Sequence, residues 1–204
     1  RLSDPVGAVL AGGRSRRLGG VPKGLEHVGS LRIVERVVAA LGPVTSHIII
    51  VANDAGASDW LPHIPVVADL HPGLGGLAGV ETALAQGTSA IVVAWDMPFV
   101  NEMLLQALAD AAEADDADVV VPASDSPFGF EPFCAFYSAR VRDPLSAFLS
   151  AGGGPARDFL RSLPRLRILS APEVARVGDP SRLFFSVNTR DDLERAKAMV
   201  AAAK

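Results

Sequence analysis

Six short runs rich in β-branched apolar residues punctuate this chain: VGAVL at 6–10, HIIIVA at 47–52, IPVVA at 64–68, AIVVA at 90–94, DVVVP at 118–122 and RLRIL at 165–169. Runs this continuous suit strands covered on both faces, the condition of a largely parallel sheet. Helical patterns lie between them. In LRIVERVVAAL, Ile33, Val34, Val37, Val38 and Leu41 share one face, and Gly42 with Pro43 ends the pattern. Asn101 is placed to cap a helix with Leu104, Leu105 and Leu108 on its inner face, and Thr189 with Asp192 reads as a capping box for the last helix. The order predicts an α/β domain. From about residue 123 the pattern loosens into SDSPFGFEPFCAFYSARVRDP and AGGGPARDFL, which we read as a continuation of the sheet plus a substrate lobe.

A hydrophobic content of 49% over 204 residues is ample for one buried core. No repeat or low-complexity linker divides the chain, so residues 1–204 are expected to form a single unit. The net charge of −4 excludes a broad basic face for nucleic acid, so any basic function must be local. The lone Cys134 has no internal disulfide partner. No apolar run reaches the roughly 18 residues of a membrane span, and the first residues carry no signal-peptide core. A cytoplasmic protein with no membrane partner is the expectation.

Directly after the first strand comes LAGGRSRRLGGVPKG, residues 10–24, with five of the 19 glycines and no acidic residue from Pro5 through Leu25. It matches neither G-x-G-x-x-G nor the P-loop, because Lys23 is followed by Gly24. In an open α/β sheet, however, this is where ligands bind. Gly12 and Gly13 let backbone N–H groups approach an anion, while Arg14, Arg16, Arg17 and Lys23 supply charge-assisted donors. A polyphosphate calls for a hard cation and an oxygen ligand, which Asp96, at the carboxyl end of AIVVAW, can provide for Mg²⁺. The loop HPGLGGLAGVETAL holds Gly73, Gly75, Gly76 and Gly79 ahead of a helix, an opening through which a flat base can be read by backbone groups. Asp69 and Asn53 end the neighbouring strands; each can contact a guanine edge or a ribose, or serve a local turn.

Taken together, LAGGRSRRLGGVPKGL, GGLAGVETAL, DMPF at 96–99, EPFCAFY at 131–137 and VNTRDDL at 187–193 resemble the molybdenum cofactor guanylyltransferases, in order and through nearly the whole chain. The resemblance implies a Rossmann-like, three-layer α/β/α nucleotidyltransferase fold of the GT-A-like kind with a mostly parallel sheet. It implies a nucleotide-binding half over about 1–122 and an acceptor-binding half over about 123–204. It implies transfer of GMP from GTP to the terminal phosphate of the molybdopterin cofactor, with loss of pyrophosphate. By that likeness Leu10, Ala11, Gly12 and Gly13 form the nucleotide loop, Lys23 binds phosphate, Asn53 and Asp69 contact guanosine, Asp96 binds magnesium, and Arg157 and Asn188 face the pterin. Handoff to molybdoenzyme-delivery proteins follows by the same analogy. The chain departs from the family in reading GGLAG for G-P-L-A-G, SVNT for N-x-N-T, with Ser186 in place of an asparagine, and Leu18 where methionine is common.

The nucleophile in such a reaction is a phosphate monoester, largely dianionic near neutral pH because its second pKa is about 6. No side-chain base is needed. That accords with the residues: Cys134 sits in an apolar strand-like context, and His27, His47, His63 and His71 lack metal-ligand spacing, although His71 adjoins the Gly-rich loop. Catalysis then consists of positioning and charge neutralisation, with Arg17 and Lys23 on the leaving pyrophosphate and Asp96 on the metal. Two alternatives use the same residues. One is a related transferase using CTP or a sugar or polyol phosphate; the other is a non-catalytic nucleotide-binding adaptor.

Overall fold

The structure, a computed structural model, describes residues 5–12, 17, 18 and 20–202. Seven strands form one sheet: β1 (Val6–Leu10), β2 (His47–Val51), β3 (Val66–Val67), β4 (Ser89–Ala94), β5 (Val119–Pro122), β6 (Cys134–Ser138) and β7 (Leu166–Leu169). Their spatial order is β7-β5-β6-β4-β1-β2-β3. All neighbours run parallel except β6, which is antiparallel to both β4 and β5.

Side chains alternate across the sheet, and both faces are covered. Val9, Ile50, Ile91 and Val93 pack with Val34, Val37 and Leu41 of α1 (Ile33–Leu41) and with Leu104, Leu105 and Leu108 of α3 (Glu102–Ala114). Ala8, Leu10, Val51 and Val92 face the opposite layer, α2 (Gly76–Leu84), α4 (Arg142–Ser150) and α5 (Ala156–Ser162). Val9, Ile50, Ile91, Val93, Ala8 and Val92 are fully buried, which explains why these strands read as unbroken apolar runs. On the α1/α3 side, α6 (Ala171–Val177) and α7 (Pro180–Leu183) add Val174 and Leu183 to the core. A smaller core of Val28, Ile33, Phe99, Val187, Leu193 and Ala196 fastens α8 (Arg190–Ala201) over the short ribbon that pairs His27–Val28 with Leu31–Arg32. The result is a three-layer α/β/α fold on a mostly parallel sheet. Among the described residues no helix is long and apolar enough to cross a membrane.

The predicted caps form. Asn101 Oδ1 accepts from Leu104 N at 2.8 Å, and Thr189 with Asp192 makes a reciprocal capping box. Each such cap contributes about 1 kcal/mol, and these two fix the ends of the segments that follow Asp96 and Asn188. One feature differs from the sequence expectation, and one makes the expected continuation of the sheet after residue 123 specific. IPVVA yields only Val66–Val67, because β3 lies at the edge of the sheet beside a proline that has no N–H to donate. And β6 was not among the six apolar runs. CAFYS ends in polar and aromatic residues, yet it inserts antiparallel between β4 and β5 and is buried along its length.

Tyr137 in β6 is fully buried, and its hydroxyl donates to the Pro132 carbonyl at 2.7 Å. Tyr137→Phe therefore strands a buried acceptor and is expected to cost about 1–2 kcal/mol, read as a lower urea midpoint with unchanged slope.

Candidate functional site

The parallel register aligns the strand ends. Leu10 is the Cα partner of both Val51 and Ala94, and Val51 is the partner of Val67. The ladder continues one residue further: Ala11 N donates to Val51 O at 3.0 Å, Ala52 N to Val67 O at 3.1 Å, and Trp95 N to Leu10 O at 3.2 Å. Four residues then stand in a row, each two positions past its strand: Asp69 after β3, Asn53 after β2, Gly12 after β1 and Asp96 after β4. All four line one cleft of about 520 Å³, whose wall on the helical side is Gly73, Gly75, Gly76 and Gly79.

At the Asp69 end the glycines act through space and backbone. Gly75 has φ +84 and N-caps α2, so the unpaired N–H groups of the helix's first turn open toward the cleft. A Cβ on Gly76 would lie 2.4 Å from the ring of Phe133, so only glycine lets this aromatic wall close on the helix. Asn53 Oδ1 accepts from Asp69 N at 2.9 Å, tying the two strand ends together, and Asp69 Oδ1 accepts from His71 N at 3.0 Å. His71 Nε2 in turn lies 3.0 Å from Oε2 of Glu81, which is buried in α2. His71 thus closes the Gly-rich loop onto the helix behind it.

At the other end Lys23 is 7% exposed and donates to Asp96 Oδ2 at 2.6 Å and to Asn188 Oδ1 at 2.7 Å. Three distant parts of the chain meet in this knot. Val187 N donates to the Asp96 carbonyl at 2.9 Å, joining the same two segments through backbone. Lys23 is carried into place by a short 3₁₀ turn, Lys23–Leu25, packed on Trp95. A Cβ on Gly24 would meet the Trp95 ring at 2.3 Å, and Trp95 is itself stacked on Trp60 with ring centroids 5.0 Å apart. The glycine that disqualifies the P-loop pattern is therefore needed to seat the lysine. A carboxylate oxygen and an amide oxygen both fall within bonding reach of one ammonium, so the donors present are the hard oxygens that Mg²⁺ takes.

Lys23 and Asp96 were expected to serve phosphate and metal, respectively, and in this structure they hold each other. Asn188, expected on the acceptor, completes their pair. Ala11 is buried behind the cleft. Arg157, on α5, is not part of this group: burial of Ala156, Phe159 and Leu160 sets the helix, and the Arg157 Nε faces Asp158 Oδ1 at 3.4 Å. Arg17 is described only as backbone of a ribbon pairing Arg17–Leu18 with Val21–Pro22, and Gly13, Arg14 and Arg16 lie outside the described residues. Sequence reasoning quoted Glu131 within a motif without assigning it a role. Burial pushes its carboxyl above the usual carboxylate range, Ser124 and Ser126 pull it back through hydrogen bonds, and the nearby charge of Asp96 raises it further.

A family model described as MobA-like NTP transferase domain matches residues 7–167. The chain belongs to the MobA-like NTP transferase family. It is 32% identical over 202 residues to a molybdenum cofactor guanylyltransferase of Desulfosudis oleivorans, covering 98% of this chain and 97% of that one. A probable molybdenum cofactor guanylyltransferase of Chloroflexus aggregans is 36% identical over 200 residues, with 94% and 93% covered. Among solved structures, molybdopterin-guanine dinucleotide biosynthesis protein A of Archaeoglobus fulgidus superposes with a TM-score of 0.82 at 28% identity, over 97% of this chain and 99% of that chain. This MobA-like chain is accordingly a nucleotidyltransferase, with its row of strand-end residues in the crevice where open α/β sheets bind ligands.

Removing either partner of the Lys23–Asp96 pair leaves a mostly buried charge alone. Lys23→Met is expected to lower unfolding free energy by about 3 kcal/mol, measured by urea denaturation. Gly24→Ala should also destabilise, by forcing apart the Trp95 packing, whereas substitution at exposed Gly20 with no atom within 4 Å meets only its positive φ.

Proposed function

We propose that this protein transfers GMP from GTP to the terminal phosphate of a molybdenum-bearing molybdopterin, releasing pyrophosphate and forming the guanine dinucleotide cofactor. One observation carries the reading: Asp69, Asn53, Gly12 and Asp96 line in register a single Gly-walled crevice, and a buried lysine bonds Asp96 at its end. The names of the full-length relatives supply the nucleotide and acceptor.

In this reading the guanine lies against the first turn of α2, with Asp69 accepting from its N–H edge and Asn53 at the base or ribose. Leu10, Ala11, Gly12 and Gly13 carry the phosphate chain past β1. Asp96, with Asn188 beside it, would hold Mg²⁺, which when bound supplies charge neutralisation on the phosphate oxygens. An oxygen of the acceptor phosphate attacks the α-phosphorus, the bond from that phosphorus to the bridging oxygen breaks, and the negative charge passes to pyrophosphate. No proton need be removed by a side chain, since the nucleophile arrives largely as a dianion with a second pKa of about 6.

Lys23 contributes a cation on a buried stem. Asp96 and Asn188 hold it until phosphate oxygens compete for it, and it then opposes the charge growing on the leaving group. Arg17, on the ribbon beside it, acts on the same pyrophosphate with a planar fork suited to non-bridging oxygens. Phe133 and the Gly76 backbone exclude water from one side. Phe133 and the Gly76 backbone stand in place before substrate arrives, and the partner exchange of Lys23 accompanies binding rather than transfer.

Pyrophosphate release from protein, GTP, Mg²⁺ and molybdenum-loaded molybdopterin is the direct test, and release should require all four. In a thermal melt with Mg²⁺, GTP should stabilise more than CTP, ATP or UTP. A CTP preference would assign the protein to the cytidylyl alternative, and binding without pyrophosphate release would make it an adaptor. Arg17→Ala should lower kcat by about two to three decades, roughly 3–4 kcal/mol, on the scale of a lost transition-state donor, with no loss of thermal stability. Lys23→Ala has a second effect. Because Lys23 also neutralises Asp96, activity and stability should fall together.

A further inference from the structure

Glu131 is a carboxylate that the transfer chemistry leaves unused. Its position follows from the backbone ahead of β6: Ala94 N donates to Phe133 O at 2.8 Å, and there a turn, in which Cys134 N faces Glu131 O at 3.5 Å, takes the chain from β4 toward the end of β5. Glu131 N donates to Pro122 O at 3.0 Å, and Ser124 Oγ donates to Glu131 Oε1 at 2.7 Å. Ser124 stands two residues past the end of β5. The carboxylate thus sits beside Ser124 at the end of β5, near enough to Asp96 to feel its charge. The row along the sheet edge then reads Asp69, Asn53, Gly12, Asp96 and, beyond it, Glu131 with Ser124.

This order restricts what Glu131 can meet. The nucleotide runs from Asp69 to Asp96, and the attacking and leaving oxygens lie roughly in line at the transferred phosphorus. The acceptor therefore enters from the β6 and β5 side. Glu131 is half-buried, and among the described residues no lysine or arginine forms an ion pair with it. Ser124 satisfies part of its acceptor capacity. The serine oxygen is itself held, accepting from Ser126 N at 3.2 Å and lying 2.9 Å from Ser126 Oγ. A carboxylate with spare lone pairs repels a phosphate and selects N–H donors.

We infer that the Glu131 carboxylate, held by Ser124, determines acceptor specificity by accepting from the adjacent ring N–H and exocyclic amino group of the acceptor's aminopyrimidinone edge. The inference rests on the reading above, in which the acceptor is a pterin monophosphate. Two side-by-side donors match two carboxylate oxygens as a guanidinium does, and a site built to pair such groups discriminates strongly against acceptors that lack them.

The test uses the whole protein with Mg²⁺ and GTP, and 6-hydroxymethylpterin, a pterin without phosphate, as a fluorescent probe. Glu131→Gln, near-isosteric and checked by melting temperature, should weaken pterin binding and raise the molybdopterin KM by about tenfold or more, as expected when a designed polar contact is lost, with kcat and Mg–GTP affinity unchanged. Turnover of a simple alkyl phosphate acceptor, which has no heterocycle, should be the same in both proteins. Ser124→Ala, which keeps the carboxylate but frees it, should shift KM in the same direction by less. Unchanged pterin binding and KM in Glu131→Gln, with Mg–GTP still bound, would overturn the inference alone, as would a shifted Mg²⁺ dependence, which would put Glu131 on the metal. Failure of the unmodified protein to take up Mg–GTP would overturn the functional reading and this inference with it.

Discussion

Register in the parallel part of the sheet is the constraint on which the site depends. A one-residue slip between β1 and either neighbour would turn every buried side chain to the opposite face. The alternating cores on the two faces forbid that, because Val9, Ile50 and Ile91 fit only under α1 and α3 while Ala8, Val51 and Val92 fit only under α2. Packing far from the cleft thereby aligns Gly12, Asn53, Asp69 and Asp96 at equal depth. Beyond antiparallel β6, Glu131 is held at the same end of the sheet by Pro122 O and Ser124. Placement to within a fraction of an ångström is what a transfer reaction needs, and here it comes from hydrophobic burial.

Onto this frame the chain adds one buried ionic knot. Lys23, Asp96 and Asn188 come from a 3₁₀ turn, a strand end and the approach to α8, separated by 73 and 165 residues from the lysine outward. Such a pair adds little net stability over an apolar replacement, but losing one member is costly. Its retention therefore makes sense as poise: a cation and two oxygens kept together, ready to exchange partners when a charged ligand enters. The segments it joins also share the Val187–Asp96 backbone bond, so the knot ties the carboxyl-terminal segment to the ligand cleft.

The fold was legible in the sequence where residues are buried on both sides. VGAVL, HIIIVA, AIVVA and DVVVP declare themselves because nothing polar can face out of a covered strand. CAFYS does not, because its pairing partners lie 16 to 49 residues away and its own composition is mixed. The candidate site was legible as a set of strand-end and glycine positions. What the sequence withheld were relations between distant residues: that Asn188 reaches Lys23, that Gly24 is held by Trp95, and that Glu131 is held by Ser124 at the end of β5. Each depends on packing rather than on local pattern. Arg157, carried over by likeness to the acceptor, lies on α5 beside Asp158.

A crystal of the protein soaked with GTP and Mg²⁺ tests the central claim most directly. The account predicts guanine against the first turn of α2 between Asn53 and Asp69, phosphates along Gly12 toward Lys23, and the α-phosphate beside Asp96 with the metal. An empty crevice at saturating nucleotide, or a nucleotide bound elsewhere on the molecule, would contradict it.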